Sequence, residues 1–251
     1  MRRPGRLTEG VVDVLFGRGK NAKLTAEDPS VLGATQRRSE PDKSGYGRGT
    51  KGPFDASERD TAVGYVDLGA ILIRPIEGLQ IRLEVEEATR RVVAVTMDLN
   101  GSSLQVQAFA APRSEGLWGE IRAQIAQSVA SQGGTVEEVE GSFGPELVAK
   151  LPTATADGRR GYRVAHFMGV DGPRWFLRGV ISGNAVMDRA AAEELEDLFR
   201  SVVVDRGEAP LPPSELLPLR LPVEPGQSEQ AANGAQAPDA PERGPEITHL
   251  G

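Results

Sequence analysis

The sequence contains no cysteine and only two histidines, His166 and His249. That removes disulfides, Cys-ligated zinc, iron–sulfur clusters and thiol nucleophiles, and it leaves too few imidazoles for a histidine-based metal site. Aromatic residues are 5% and hydrophobic residues 39% of the chain, thin for 251 residues folded throughout. No apolar run approaches the roughly 18 residues that a membrane helix needs. Val11-Val12-Asp13-Val14-Leu15-Phe16 is short and broken by Asp13, so it also fails as a signal-peptide core. These absences predict a cytoplasmic protein without a bound cofactor or metal.

What is plentiful is glycine, 30 residues, and proline, 18, crowded towards the two ends. The net charge of −7 is unevenly spread. Residues 1–62 hold 12 Lys/Arg and 9 Asp/Glu, residues 63–206 hold 15 and 20, and residues 207–251 hold 2 and 7. An acidic middle offers no electrostatic footprint for nucleic acid, so any nucleic-acid or membrane-surface contact is expected through the basic N-terminal tail. Residues 1–61 read as a disordered basic tail and 223–251 as a disordered acidic one, because neither can bury enough apolar surface to offset its ordering entropy.

Between the tails, residues 62–206 read as one α+β domain. Tyr65–Leu68 and Ile71–Ile73 are short strands split at Gly69, and Gln80–Val85 alternates polar and apolar residues strictly. Arg91–Leu99 and Leu104–Phe109 flank Asn100-Gly101, the strongest two-residue hairpin signal. A helix is predicted over Glu115–Gln132, capped by Ser114, with Leu117, Trp118, Ile121, Ile125 and Val129 on one face. A second strand series follows at 135–140, 146–151, 162–170 and 174–182, then a helix that Asp188 caps and that runs to about Phe199. Strands joined by hairpins imply a curved antiparallel sheet in meander–helix–meander–helix order.

Three strings carry a resemblance: Ala108–Trp118 (AFAAPRSEGLW), Gly133–Gly141 (GGTVEEVEG) and Val170–Val180 (VDGPRWFLRGV). With Gly52-Pro53-Phe54-Asp55 at one end and Leu216–Pro222 at the other, they resemble an actinobacterial family of conserved hypothetical proteins, a domain of unknown function. The resemblance implies no activity, substrate or catalytic residue. Members of that family open with a Met-Phe-Gly-Arg-type start, which Leu15-Phe16-Gly17-Arg18 resembles, so Val14 is expected as the biological start. The element order is also similar, more loosely, to the Mog1/PsbP sandwich, a fold-level analogy only.

Candidate binding residues are Arg113, Ser114, Trp118, Arg174, Trp175 and Arg178. Pro112-Arg113-Ser114-Glu115-Gly116 opens the first helix, whose free N–H groups can hold an anion beside Arg113 or simply be capped by Ser114. Arg174 and Arg178 are read as sharing one strand face, as a basic strip or paired with Glu84 or Glu86 across the sheet. His166 reads as a half-buried structural histidine with no nucleophile beside it. Glu86-Glu87 and Glu137-Glu138 point to opposite faces of their strands and converge on nothing. Residues 207–222, rich in proline and leucine, read as a strap lying along the domain, with a polyproline ligand for another protein as the other use. The functional expectation is a non-catalytic module that binds a protein partner. The alternative is an anion- or small-molecule-binding protein, or an enzyme, with its site at the start of the first helix.

Overall fold

The computed structural model describes residues 48–113, 116–154 and 160–222. In chain order its helices are α1 (Arg48–Lys51), α2 (Trp118–Ser131) and α3 (Arg189–Ser201). Its strands are β1 (Phe54–Asp55), β2 (Val66–Asp67), β3 (Ile71–Ile73), β4 (Gln80–Val85), β5 (Val92–Leu99), β6 (Ser102–Ala110), β7 (Thr135–Gly141), β8 (Gly144–Ala154), β9 (Arg160–Gly172), β10 (Trp175–Gly183) and β11 (Val203–Val204).

Two meanders build a seven-stranded antiparallel sheet in the order β4-β5-β6-β10-β9-β8-β7. The first turns at Asn100-Gly101, where both residues hold positive φ (51° and 78°), the twist that a two-residue hairpin needs. The second runs β7-β8-β9-β10 and joins the first through β6 and β10, from Trp175↔Ala110 to Gly183↔Ser102. Helix α2 is the connection between the meanders and covers β7, β8 and β9 on one face. Its Trp118, Ile125 and Val129 meet Leu147, Ala149, Phe167 and Phe176 there.

On the opposite face lie α3 and a second, four-stranded sheet ordered β1-β11-β3-β2. Asp188 caps α3 by accepting from the N–H groups of Ala190 and Ala191. Leu195, Leu198 and Phe199 of α3 join Ile71, Ile73, Val202 and Val204 over Val95, Met97, Val106 and Leu177. The strands at 66–67 and 71–73 thus belong to this small sheet and not to the meander that follows them.

The ordered fold also begins before residue 62, a correction to the tail expected over 1–61. Phe54 and Asp55 pair in parallel with Val203 and Val204, and Phe54 is buried against Leu72 and Val203. A two-residue strand beside a glycine- and charge-rich stretch has no periodicity of its own, so only its partner reveals it.

The proline-rich segment 210–222 runs in extended form along the domain. The N–H groups of Ser214 and Leu217 donate to Ala110 and Ala108 of β6, and Ala110 donates back to Glu215. Further on, Ala70 donates to Pro218 and Arg220 to Leu68. The strap therefore joins the edge of the large sheet, beyond where β5 stops pairing with β6 at Val95↔Val106, to the start of β3. Proline has no N–H to give, and the donors that the strap itself supplies here are its non-proline residues Ser214, Leu217 and Arg220. Leu217, 2% exposed, pins the segment into the core.

Candidate functional site

Helix α2 begins at Trp118, and its N-cap residue Leu117 contributes no side-chain hydrogen bond. A carboxylate 54 residues away does so instead: Asp171, at the end of β9, accepts from Leu117 N at 2.7 Å and from Trp118 N at 3.3 Å. The positive end of the helix is thus met by an anion belonging to the protein itself. A Cβ on Gly116 would stand 2.5 Å from Asp171 Oδ2, so the close approach requires glycine there. Ser114, the expected cap, and Glu115 lie outside the described residues.

Of the five other candidates, Trp118, Trp175 and Arg178 go to different places. Trp118 is 2% exposed, stacks on Phe176 with ring centroids 5.9 Å apart, and donates from Nε1 to Pro145 O at 2.7 Å. Trp175 is fully buried and donates from Nε1 to Asp55 Oδ2 at 2.8 Å, which ties β1 to β10. Arg178 is 8% exposed, donates to Gln107 Oε1 and lies over the Phe109 ring. Burial pushes its guanidinium down to about 9. Glu84 is taken by Thr96 Oγ1 and by Gln105 Nε2.

Arg174 does not share a strand face with Arg178. The turn between β9 and β10 is Pro173-Arg174, and Arg174 occupies its second position with φ of 63°. The residue is lifted out of the strand alternation, so it reaches the pole of the sheet while Arg178 stays beneath it. Asp171 and Gly172 still belong to the ladder, paired with Phe176 and Trp175.

At that pole the structure brings together what the sequence scatters. Ala111, Pro112 and Arg113 leave β6, Arg174 stands at the adjoining turn, Arg206 follows β11, and Pro210–Pro213 of the strap closes the far side. These residues line an open cleft of about 530 Å³, within the size range of small-ligand sites. Ala111 N donates to Arg174 O at 2.9 Å, which locks two of the three walls together.

No acidic residue is among the described lining, and Arg113 and Arg174 form no ion pair or side-chain hydrogen bond with any described residue. Arg206 is oriented by its own backbone: Nη1 donates to Ala209 O at 2.6 Å and to Gly207 O at 3.2 Å. Its Nε is buried without a protein acceptor, which costs about 1–3 kcal/mol for a group of this kind. Three arginines therefore line one cleft of a domain whose residues 63–206 carry a net −5. Sequence reasoning found two of them, Arg113 and Arg174. Arg206 carried no signal, because nothing local marks a residue after a two-residue strand as facing a turn more than thirty residues away.

The remaining titratable groups sit elsewhere. His166, on the sheet face opposite α2, has Nε2 2.6 Å from Glu146 Oε2, close enough for an ion pair though not aligned as a hydrogen bond. Glu146 is 1% exposed and also accepts from Phe143 N. Nearby, the Ser142 hydroxyl donates to Glu196 and not to the imidazole. Among the described residues no cluster of His, Asp and Glu could hold a metal ion, and no helix is long and apolar enough to cross a membrane. The basic N-terminal segment and Val14 lie outside the described residues.

No curated protein matches the chain. Among solved structures it is similar, at 16% identity and a TM-score of 0.36, to a crystal structure from Bacteroides thetaiotaomicron VPI-5482. The likeness covers 61% of this chain and 51% of that one, so the chain spans about half the length of that relative. That likeness is too loose to bear on function. A family model described as Protein of unknown function (DUF3710) matches residues 52–228, and the chain belongs to that family.

Proposed function

We propose that this domain is a non-catalytic binding module that holds an anionic ligand in the cleft between Arg113, Arg174 and Arg206. The observation that carries the reading is that three arginines from three separate segments line one cleft, with no described carboxylate in the lining. Several arginines elsewhere on the molecule are paired with carboxylates: Arg82 with Asp98, Arg189 with Glu196, Arg220 with Asp67. Arginines gathered around one cleft without a described carboxylate among them favour an anion there.

Two further observations support binding over catalysis and an anion over a docked peptide. The described lining is alanine, proline, leucine and arginine, none of which serves as general base or nucleophile at neutral pH. The strap, whose other expected use was as a polyproline ligand for another protein, spends its central hydrogen bonds on β6 and on Leu68 to Ala70. A protein partner remains compatible with the cleft if it presents an anionic group there.

Thermal denaturation in the presence of citrate, pyrophosphate and phenyl phosphate tests the reading. A ligand at about a hundred times its Kd stabilises the fold by roughly 2.7 kcal/mol, a rise of several degrees in Tm. The rise is expected for the wild type, reduced for Arg113→Ala, and reduced by added salt because the cleft is open. If none of the three anions moves Tm, or the rise survives in Arg113→Ala and in Arg174→Gly, the cleft is not the site.

A further inference from the structure

We infer that the ligand of this cleft is a small phosphate monoester carrying a compact apolar body; the inference rests on the anion-binding reading above. Charge and lining both point that way. A carboxylate is planar, has two acceptor oxygens and one negative charge, and is satisfied by a single guanidinium fork. Here three arginines line the cleft, from the β6 exit, the β9–β10 turn and the segment after β11. Three cations around one cleft suit the dianion that a phosphate monoester becomes above its second pKa of about 6.

The rest of the lining defines the other half of the ligand. Ala111, Pro112, Pro210, Leu211, Pro212 and Pro213 offer methyl, methylene and ring carbon. Bare inorganic phosphate would leave that wall facing water, whereas a monoester with an apolar or ring-shaped body covers it. The fixed geometry of Arg206 adds selectivity. Its Nη1 is already engaged by the carbonyls of Gly207 and Ala209, so the guanidinium is held in place before the ligand arrives and loses little freedom on binding.

Isothermal titration of the full chain with four probes decides the matter: phenyl phosphate, benzenesulfonate, phenylacetate and inorganic phosphate. Benzenesulfonate keeps the ring and the tetrahedral head but has one charge; phenylacetate keeps the ring and replaces the head with a carboxylate. Phenyl phosphate is expected to bind about tenfold or more tightly than each of the other three. Its affinity should fall as the pH drops from about 7.5 to about 5.5 and the dianion takes up a proton. Arg113→Ala, an exposed residue whose loss leaves the core intact, and Arg174→Gly, which suits the positive φ, should each remove most of that preference.

Phenylacetate or benzenesulfonate binding as tightly as phenyl phosphate would overturn the phosphate assignment while leaving an anion site in place. Inorganic phosphate binding as tightly as phenyl phosphate would overturn the apolar body. A phosphoserine peptide binding more tightly than phenyl phosphate would reassign the cleft to protein recognition. Silence from all the probes would remove the anion site itself.

Discussion

Gly169 and Gly179 leave room on the large sheet for two aromatic rings. A Cβ on Gly169 would lie 2.5 Å from the Trp118 ring, and one on Gly179 would lie 2.8 Å from Phe199. Each helix therefore sits on its face of the sheet through one large ring lodged over one missing side chain: α2 through Trp118 and α3 through Phe199. Gly169→Ala is expected to cost about 1–3 kcal/mol, because the displaced ring stacks on Phe176 and its Nε1 is tied to Pro145. Urea unfolding with a slope unchanged from wild type would measure it; an unaltered midpoint would mean the ring shifts at no cost. Asp171 is the other residue on which position depends, since its carboxylate fixes both the start of α2 and the end of β9.

Helix α3 is held to the β7–β8 turn by an ionic cluster that titrates. Glu196 is 2% exposed, and burial alone would raise its carboxyl. The hydrogen bonds from Ser142 and Arg189 and the charges of Arg189 and Arg200 outweigh burial and bring it below its usual 4.5. The folded protein thus resists protonating Glu196, while the unfolded chain protonates it readily. Its stabilising effect is full above about pH 4.5 and is lost as the pH falls through the lowered folded value. The stability difference between wild type and Glu196→Gln should therefore shrink between about pH 6 and about pH 3. Asp98 and Glu58, also held low, titrate in both proteins and cancel in the comparison. A difference that stays constant across that range would show the cluster to be energetically silent.

At the scale of the whole molecule, the limits of the folded unit follow from two short additions at its ends. A chain trimmed to residues 48–222 keeps β1, the Asp55 acceptor for Trp175, and the strap with Leu217. A chain trimmed to 62–206 loses all three. Exposing the sites of Phe54 and Leu217 and leaving the buried Trp175 Nε1 without its acceptor should cost on the order of 5 kcal/mol or more, comparable with the whole stability of a small domain. Circular dichroism and thermal melts are expected to give a cooperative transition for 48–222 and a broad or absent one for 62–206. Equal melting temperatures would show both ends to be dispensable.

Much of this molecule was legible from local pattern. Gln80–Val85 alternates because one face of β4 meets solvent; Asn100-Gly101 turns because both residues accept positive φ; Asp188 starts α3 because its carboxylate reaches two free N–H groups. Each depends on residues within a few positions of one another, so the sequence alone determines it, as it does the antiparallel α+β class and the absence of cysteine chemistry. Tertiary structure decided what pairs at long range. It set β1 beside β11, placed Asp171 at the helix start expected for Ser114, laid the strap along β6, and put Arg206 beside Arg113 and Arg174. Such contacts depend on where two faces of a curved sheet and its ends come to lie, and no spacing along the chain encodes that. The candidate site belongs to this second kind: each arginine is visible in the sequence, and their convergence is a property of the fold.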